Sequence, residues 1–128
     1  MEASAPGSGE VVWLDLTVPD AEAVRDFYAE VVGWQPEPVD MGGYADFNMV
    51  SPATGQPAAG VCFARGTNAD LPAQWIPYFG VEDLDAGVAR AKELGAEVVS
   101  GPRSGFCIIR DPAGAVAALF AIEREEAG

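Results

Sequence analysis

The chain has 128 residues, 49% of them apolar, with 20 acidic and 7 basic side chains and a formal net charge of −13. That length suits one domain able to build its own core, and the acid excess argues against nucleic acid and anionic membrane surfaces while permitting cationic small molecules. No histidine occurs, which removes the usual general base, the usual triad partner and the commonest transition-metal ligand together.

Residues 1–9 read as a disordered leader, too polar and too rich in Gly, Ser and Pro to pack. They lack the basic and apolar regions of a secretory signal, and no apolar run approaches the ~20 residues that span a bilayer. A cytoplasmic location is therefore expected, with Cys62 and Cys107 as free buried thiols. "VVWLDLTV" (11–18) is β-branched and partly alternating, hence a strand. A helix follows, with Asp20 as N-cap, Val24, Phe27, Tyr28, Val31 and Val32 as its apolar stripe, and Gly33 as its stop. "EPVDMGG" reads as a loop, "YADFNMV" as a strand, "SPATGQP" as a turn and "AAGVCFA" as another strand. Trp34 is expected to pack between this half and the polar linker 65–74.

The plan then repeats. "WIPYFGV" is a strand. The next helix has Asp83 as cap, Leu84, Val88, Ala91 and Leu94 as its stripe, and Gly95 as its stop. "AEVVS" is short and extended, "GPRSG" a flexible loop, "FCIIR" a strand, "DPAG" a hairpin turn and "AVAALFAI" the last strand. Val18 and Val81 stand 63 residues apart, as do Asp20 and Asp83, and Glu30 and Glu93. Two copies of one strand–helix–strands unit make an α+β architecture with helices on one face of each sheet. The domain is expected over 10–124, with modules at about 10–65 and 74–124 and a charged tail at 125–128.

The duplicated unit, with "VPDAEAVRDFYAEVVGW" in the first half and "WIPYFGVEDLDAGVARAKELGAEV" then "RDPAGAVAALF" in the second, resembles the vicinal oxygen chelate superfamily of glyoxalases, bleomycin-resistance proteins and extradiol dioxygenases. The resemblance runs from Val11 to about Glu123. It implies two βαβββ modules whose curled mixed sheets surround a cleft. It also implies metal ligands, His or Gln and Glu, on the first and fourth strands of each module. Carried onto this chain, those positions are Trp13 and Ile76 on the first strands, Ala118 on the last strand, and Gly60 (within a residue) in the first module. None of these side chains ligates a metal, so no metal and no cofactor are expected.

Strand alternation extends the reading. If Trp13 faces the cleft, so does Asp15; Ile76 brings Tyr78, Ala118 brings Val116 and Phe120, and Gly60 brings Cys62. Trp13, Asp15, Phe47, Cys62, Tyr78, Arg103 and Phe120 are the candidate ligand-binding residues. Asp46 and Asn48 alternate on their strand and are candidates for the same face. Arg103, in the "GPRSG" loop, is a candidate anion clamp, and Cys62 makes a poor nucleophile without a histidine to activate it.

The chain is expected to be a metal-free small-molecule binding protein of the bleomycin-resistance type, homodimeric, sequestering an aromatic or cationic compound. One alternative is an enzyme doing lyase, isomerase or cyclase chemistry with Asp15 as acid/base and Tyr78 as proton donor, or with a non-standard Mg²⁺ or Ca²⁺ site through Asp15 and Asp46. Another is an interaction module whose acidic surface meets a basic protein.

Overall fold

The computed structural model describes residues 6–122, which form eight strands, two α-helices and a short 3₁₀ turn at Gly66–Asn68. The tail expected over 125–128 and residues 1–5 of the leader lie outside the described residues. Two compact units divide the chain: residues 13–75, and residues 76–122 together with the leader end up to 12.

In module one, β1 (Val11–Val18) leads into α1 (Ala21–Val32), followed by β2 (Gln35–Asp40), β3 (Ala45–Val50) and β4 (Pro57–Phe63). Asp20 caps α1 as expected, accepting from Ala23 N at 3.1 Å. Gly33 ends it in the left-handed region at φ 82°, where a Cβ would be strained. The strands lie in the order β2-β3-β4-β1. The β2–β3 and β3–β4 pairings are antiparallel, and β1–β4 is parallel, with Asp15 beside Gly60. Leu16, Val18, Phe47, Met49 and Val61 form the core beneath α1, joined by Val24 and Tyr28 of the helix. The expected stripe of α1 is too wide: Phe27, Val31 and Val32 are exposed. The seam that packs is the narrower one through Ala21, Val24 and Tyr28, and Phe27, Val31 and Val32 flank it on the solvent side.

β2 corrects the expected loop at "EPVDMGG". Pro36 and Pro38 disguise it, because proline is depleted in strands. β2 is an outer strand with a single partner, β3. The two prolines fall on alternate residues, so both missing N–H groups belong to the side away from β3. Trp34 packs in an aromatic group with α1 and the first residue of the strand after the linker: its ring lies 5.9 Å from Tyr28 and 6.0 Å from Trp75, and the Trp75 indole donates to Tyr28 Oη at 3.0 Å.

Module two repeats the order with β5 (Trp75–Val81), α2 (Leu84–Glu93), β6 (Glu97–Arg103), β7 (Phe106–Arg110) and β8 (Val116–Ala121). Asp83 caps α2 by accepting from Ala86 N at 3.0 Å. Val88, Cys107 and Ile109 are buried beneath it, with Leu84, Ala91, Val98 and Leu119 packed around them. Leu94, expected in the stripe, lies past the last helical turn and is exposed. The "DPAG" turn forms as expected, with Asp111 Oδ1 accepting from Ala113 N at 2.8 Å and Ala115 N at 2.9 Å. β6 corrects another expectation: it runs through Pro102 to Arg103, with irregular register against β7, where a flexible loop was expected.

The leader was expected to be unpacked, yet its described end is fastened to β5. Gly9 N donates to Gly80 O, and Gly80 N donates to Glu10 O, each at 2.9 Å. Gly80 makes this possible, since a Cβ there would sit 2.0 Å from Gly7 O. Paired backbone groups hold a segment whose side chains alone would not.

Candidate functional site

Each sheet has a face under its helix and a face away from it, and the candidate chemistry sorts by face. In module one, α1 takes the side chains of Leu16, Phe47, Met49 and Val61. The alternate residues Trp13, Asp15, Asp46, Asn48, Gly60 and Cys62 then belong to the opposite face. The register agrees, placing Asp15 and Asn48 beside Gly60 on either side of β4. Phe47 is the exception among the expected site residues: it is buried at 6% exposure in the α1 core, with the Arg25 guanidinium 4.6 Å from its ring. It neighbours the candidate site in sequence but points the other way, as adjacent strand residues must.

Asp15 is the centre of this face. Trp13 Nε1 donates to Asp15 Oδ1 at 2.8 Å, and Cys62 Sγ donates to Asp15 Oδ2 at 3.9 Å. Both donors are neutral groups, and between them they orient the two carboxylate oxygens. Asp46 lies across from Cys62, and its Oδ1 accepts from Phe63 N at 2.9 Å. Burial pushes the Cys62 thiol far above its ordinary range, and Asp15 and then Asp46 push it further. The thiol therefore stays protonated and serves as a donor to Asp15, which suits the expectation that it is no nucleophile. Trp13, Asp15, Asp46, Asn48 and Cys62 are all half-buried, placed where a ligand can reach them.

Module two carries a different face. Tyr78 lies beside Ala118, and Ala118 lies beside Ile108. Ile76, Tyr78, Ile108, Val116 and Ala118 are all buried. The Tyr78 ring is 5.8 Å from Phe106 and 6.4 Å from Phe120, and Phe120 is exposed. Arg103 is placed at the end of β6, its guanidinium 5.0 Å from the Phe106 ring and donating to Ser100 Oγ. The structure thus gathers Trp13, Asp15 and Cys62 in one module, and Tyr78, Phe120 and Arg103 in the other. Phe106, which links Arg103 to Tyr78, escaped the sequence reading. Its signal was its position in "FCIIR", where alternation from Ile108 assigns it to this face.

The metal implied by the resemblance does not fit these residues. The first-strand and last-strand positions hold Trp13, Gly60, Ile76 and Ala118, and among the described residues no three of His, Cys, Asp and Glu are grouped as a metal site requires.

Comparison with known proteins supports this architecture. Residues 11–120 match the family described as glyoxalase-like domain. The anthracycline biosynthesis protein DnrV of Streptomyces peucetius is 31% identical over 140 residues, covering 94% of this chain and 49% of that protein. The chain spans about half the length of the curated relatives it matches. Among solved structures, methylmalonyl-CoA epimerase from Mycobacterium tuberculosis superposes with a TM-score of 0.53 at 18% identity, covering 97% of this chain and 94% of that one. A variant of homoprotocatechuate 2,3-dioxygenase from B. fuscum gives 0.56 at 22% identity, covering 95% of this chain and 36% of that one. These two likenesses show the fold: an α+β pair of βαβββ modules. No helix among the described residues is long and apolar enough to cross a membrane.

Proposed function

The chain belongs to the glyoxalase-like domain family, and on that footing we propose that it is a metal-free binding protein for a flat, cationic aromatic compound, held on the face of module one away from α1. The observation that carries the reading is the Asp15 carboxylate, fixed by the neutral Trp13 indole and Cys62 thiol on a half-buried surface. A carboxylate so held favours a positively charged group, and the indole beside it offers a ring for stacking. The overall charge of −13 draws in cations and repels anions. Two curated relatives are named for anthracycline biosynthesis, and anthracyclines are planar fused-ring compounds bearing an amino sugar, which matches both demands.

Titrating the chain with an anthracycline, followed by its fluorescence in the presence of a chelator, tests the reading. Saturable binding that the chelator leaves unchanged, and that is stronger than binding of an uncharged anthraquinone, is the expected result. Binding that requires a divalent cation, or that ignores the ligand's charge, would overturn it.

A second reading is a metal-free enzyme in which Asp15 moves a proton. Its support is that Asp15 is oriented through both oxygens, as a general base needs to be. Product analysis of the bound compound after incubation separates the two: an unaltered ligand favours sequestration.

A further inference from the structure

We infer that Gly60 is a positioning residue for the Asp15 carboxylate, because the space its missing side chain leaves is the space that carboxylate occupies. The ligand consequence drawn below rests on the reading of module one just proposed.

Gly60 lies inside β4, where glycine is unfavourable: it adds backbone entropy to the unfolded chain and contributes no side chain to packing. Its backbone does not require glycine either, since its φ lies outside the left-handed region, unlike Gly33, Gly95 or Gly114. A close approach does require it. A Cβ on Gly60 would sit 2.1 Å from Asp15 Oδ1, 3.3 Å from Asp15 Cγ and 3.4 Å from Trp13 Cζ2. Gly80 also excludes a Cβ, but there the obstacle is the backbone carbonyl of Gly7. At Gly60 the obstacle is a single ionisable side chain.

A flexible side chain would swing away from an added methyl group. Asp15 is short and held at both oxygens, by Trp13 Nε1 and by Cys62 Sγ. Moving it breaks the set that orients it. β1 supplies the carboxylate, β4 supplies the opening above which it rests, and the parallel register that places Asp15 beside Gly60 joins the two. The corresponding pair in module two follows the same size rule, with bulky Tyr78 on the first strand beside small Ala118 on the last.

The test is a double-mutant cycle on the full chain with Gly60→Ala, Asp15→Ala and both together, read by thermal midpoint. Gly60→Ala alone is expected to lower the midpoint by several degrees, and to lower it little or not at all when Asp15 is already Ala. Equal losses in the two backgrounds would overturn the inference. If Gly60→Ala alone is too unstable to purify, recovery of soluble protein in the double variant supports it, and no recovery overturns it.

A second readout follows the carboxylate itself. Asp15 and Asp46 face Cys62 and oppose its ionisation, so displacing Asp15 should shift the pH profile of Cys62 alkylation toward lower pH in Gly60→Ala. An unchanged profile counts against the inference. Returning the carboxylate from the other strand, with Asp15→Gly and Gly60→Asp combined, should move the profile back. Anthracycline affinity is read separately: a fall of about tenfold in Gly60→Ala supports the ligand reading. Coupled midpoints with unchanged affinity would keep Gly60 as a positioning residue and remove the ligand from this face.

Discussion

On the first strand of module one, Asp15 lies beside Gly60; at the same two positions of module two, Tyr78 lies beside Ala118. Asp15 and Tyr78 are 63 residues apart, the spacing of the whole repeat. The backbones therefore correspond while the faces away from the helices have diverged. Module one keeps charge and hydrogen-bonding groups half-exposed; module two fills its face with buried Ile76, Tyr78, Ile108, Val116 and Ala118. A duplicated unit needs only one copy of its chemistry, and the other copy is free to spend its face on burial, which is the larger source of stability.

The contrast can be broken most severely in module two. Ile108 is 1% exposed, and Ile108→Ala should cost ~2–5 kcal/mol in denaturant unfolding, by lost burial and a cavity. In module one the balance should reverse. Asp15→Asn should change unfolding free energy by no more than ~1 kcal/mol yet weaken anthracycline binding at least about tenfold, since a hydrogen bond to a charged group is worth ~1.5–3 kcal/mol. If Ile108→Ala instead abolished binding in the folded protein while Asp15→Asn did nothing, the division of duties would be reversed.

A smaller effect sharpens the picture of module one. The folded state raises the Cys62 thiol above its unfolded value, near 8.5, so the protonated thiol is what the fold holds. The unfolded chain loses that proton first as pH rises, so the stabilisation is complete below pH ~8.5 and declines above it. Midpoints measured from pH 7 to 10 should fall more steeply for the wild type than for Cys62→Ala. The smallest effect belongs to neither face: Phe27→Lys and Val31→Lys on the exposed side of α1 should each stay within ~0.5 kcal/mol of wild type in denaturant unfolding.

Most of the fold was legible because its signals are local. Strands β1, β5 and β7 announce themselves by β-branched and aromatic residues in alternation, and the caps at Asp20 and Asp83 by short polar side chains before an apolar period. The repeat then made the equivalence of Gly60 with Ala118 readable, and the two parallel registers agree with it. What failed depends on neighbours. β2 is a strand only because β3 pairs with it, and β6 is carried past Ser100 by β7 through an irregular register. Phe47 was assigned to the candidate site, but the face of β3 is decided by which residues α1 covers. The meeting of Asp46 with Cys62 needs the β3–β4 register, which no pattern within either strand contains.

The two prolines of β2 carry one more consequence. An outer strand normally offers its spare donors and acceptors to any extended chain that drifts past, and this is how sheets recruit one another into aggregates. Pro36 and Pro38 take two donors from that border while its carbonyls remain. An extended chain laid along β2 would find two of its ladder positions without a donor, so this border is a poor template for adding a strand.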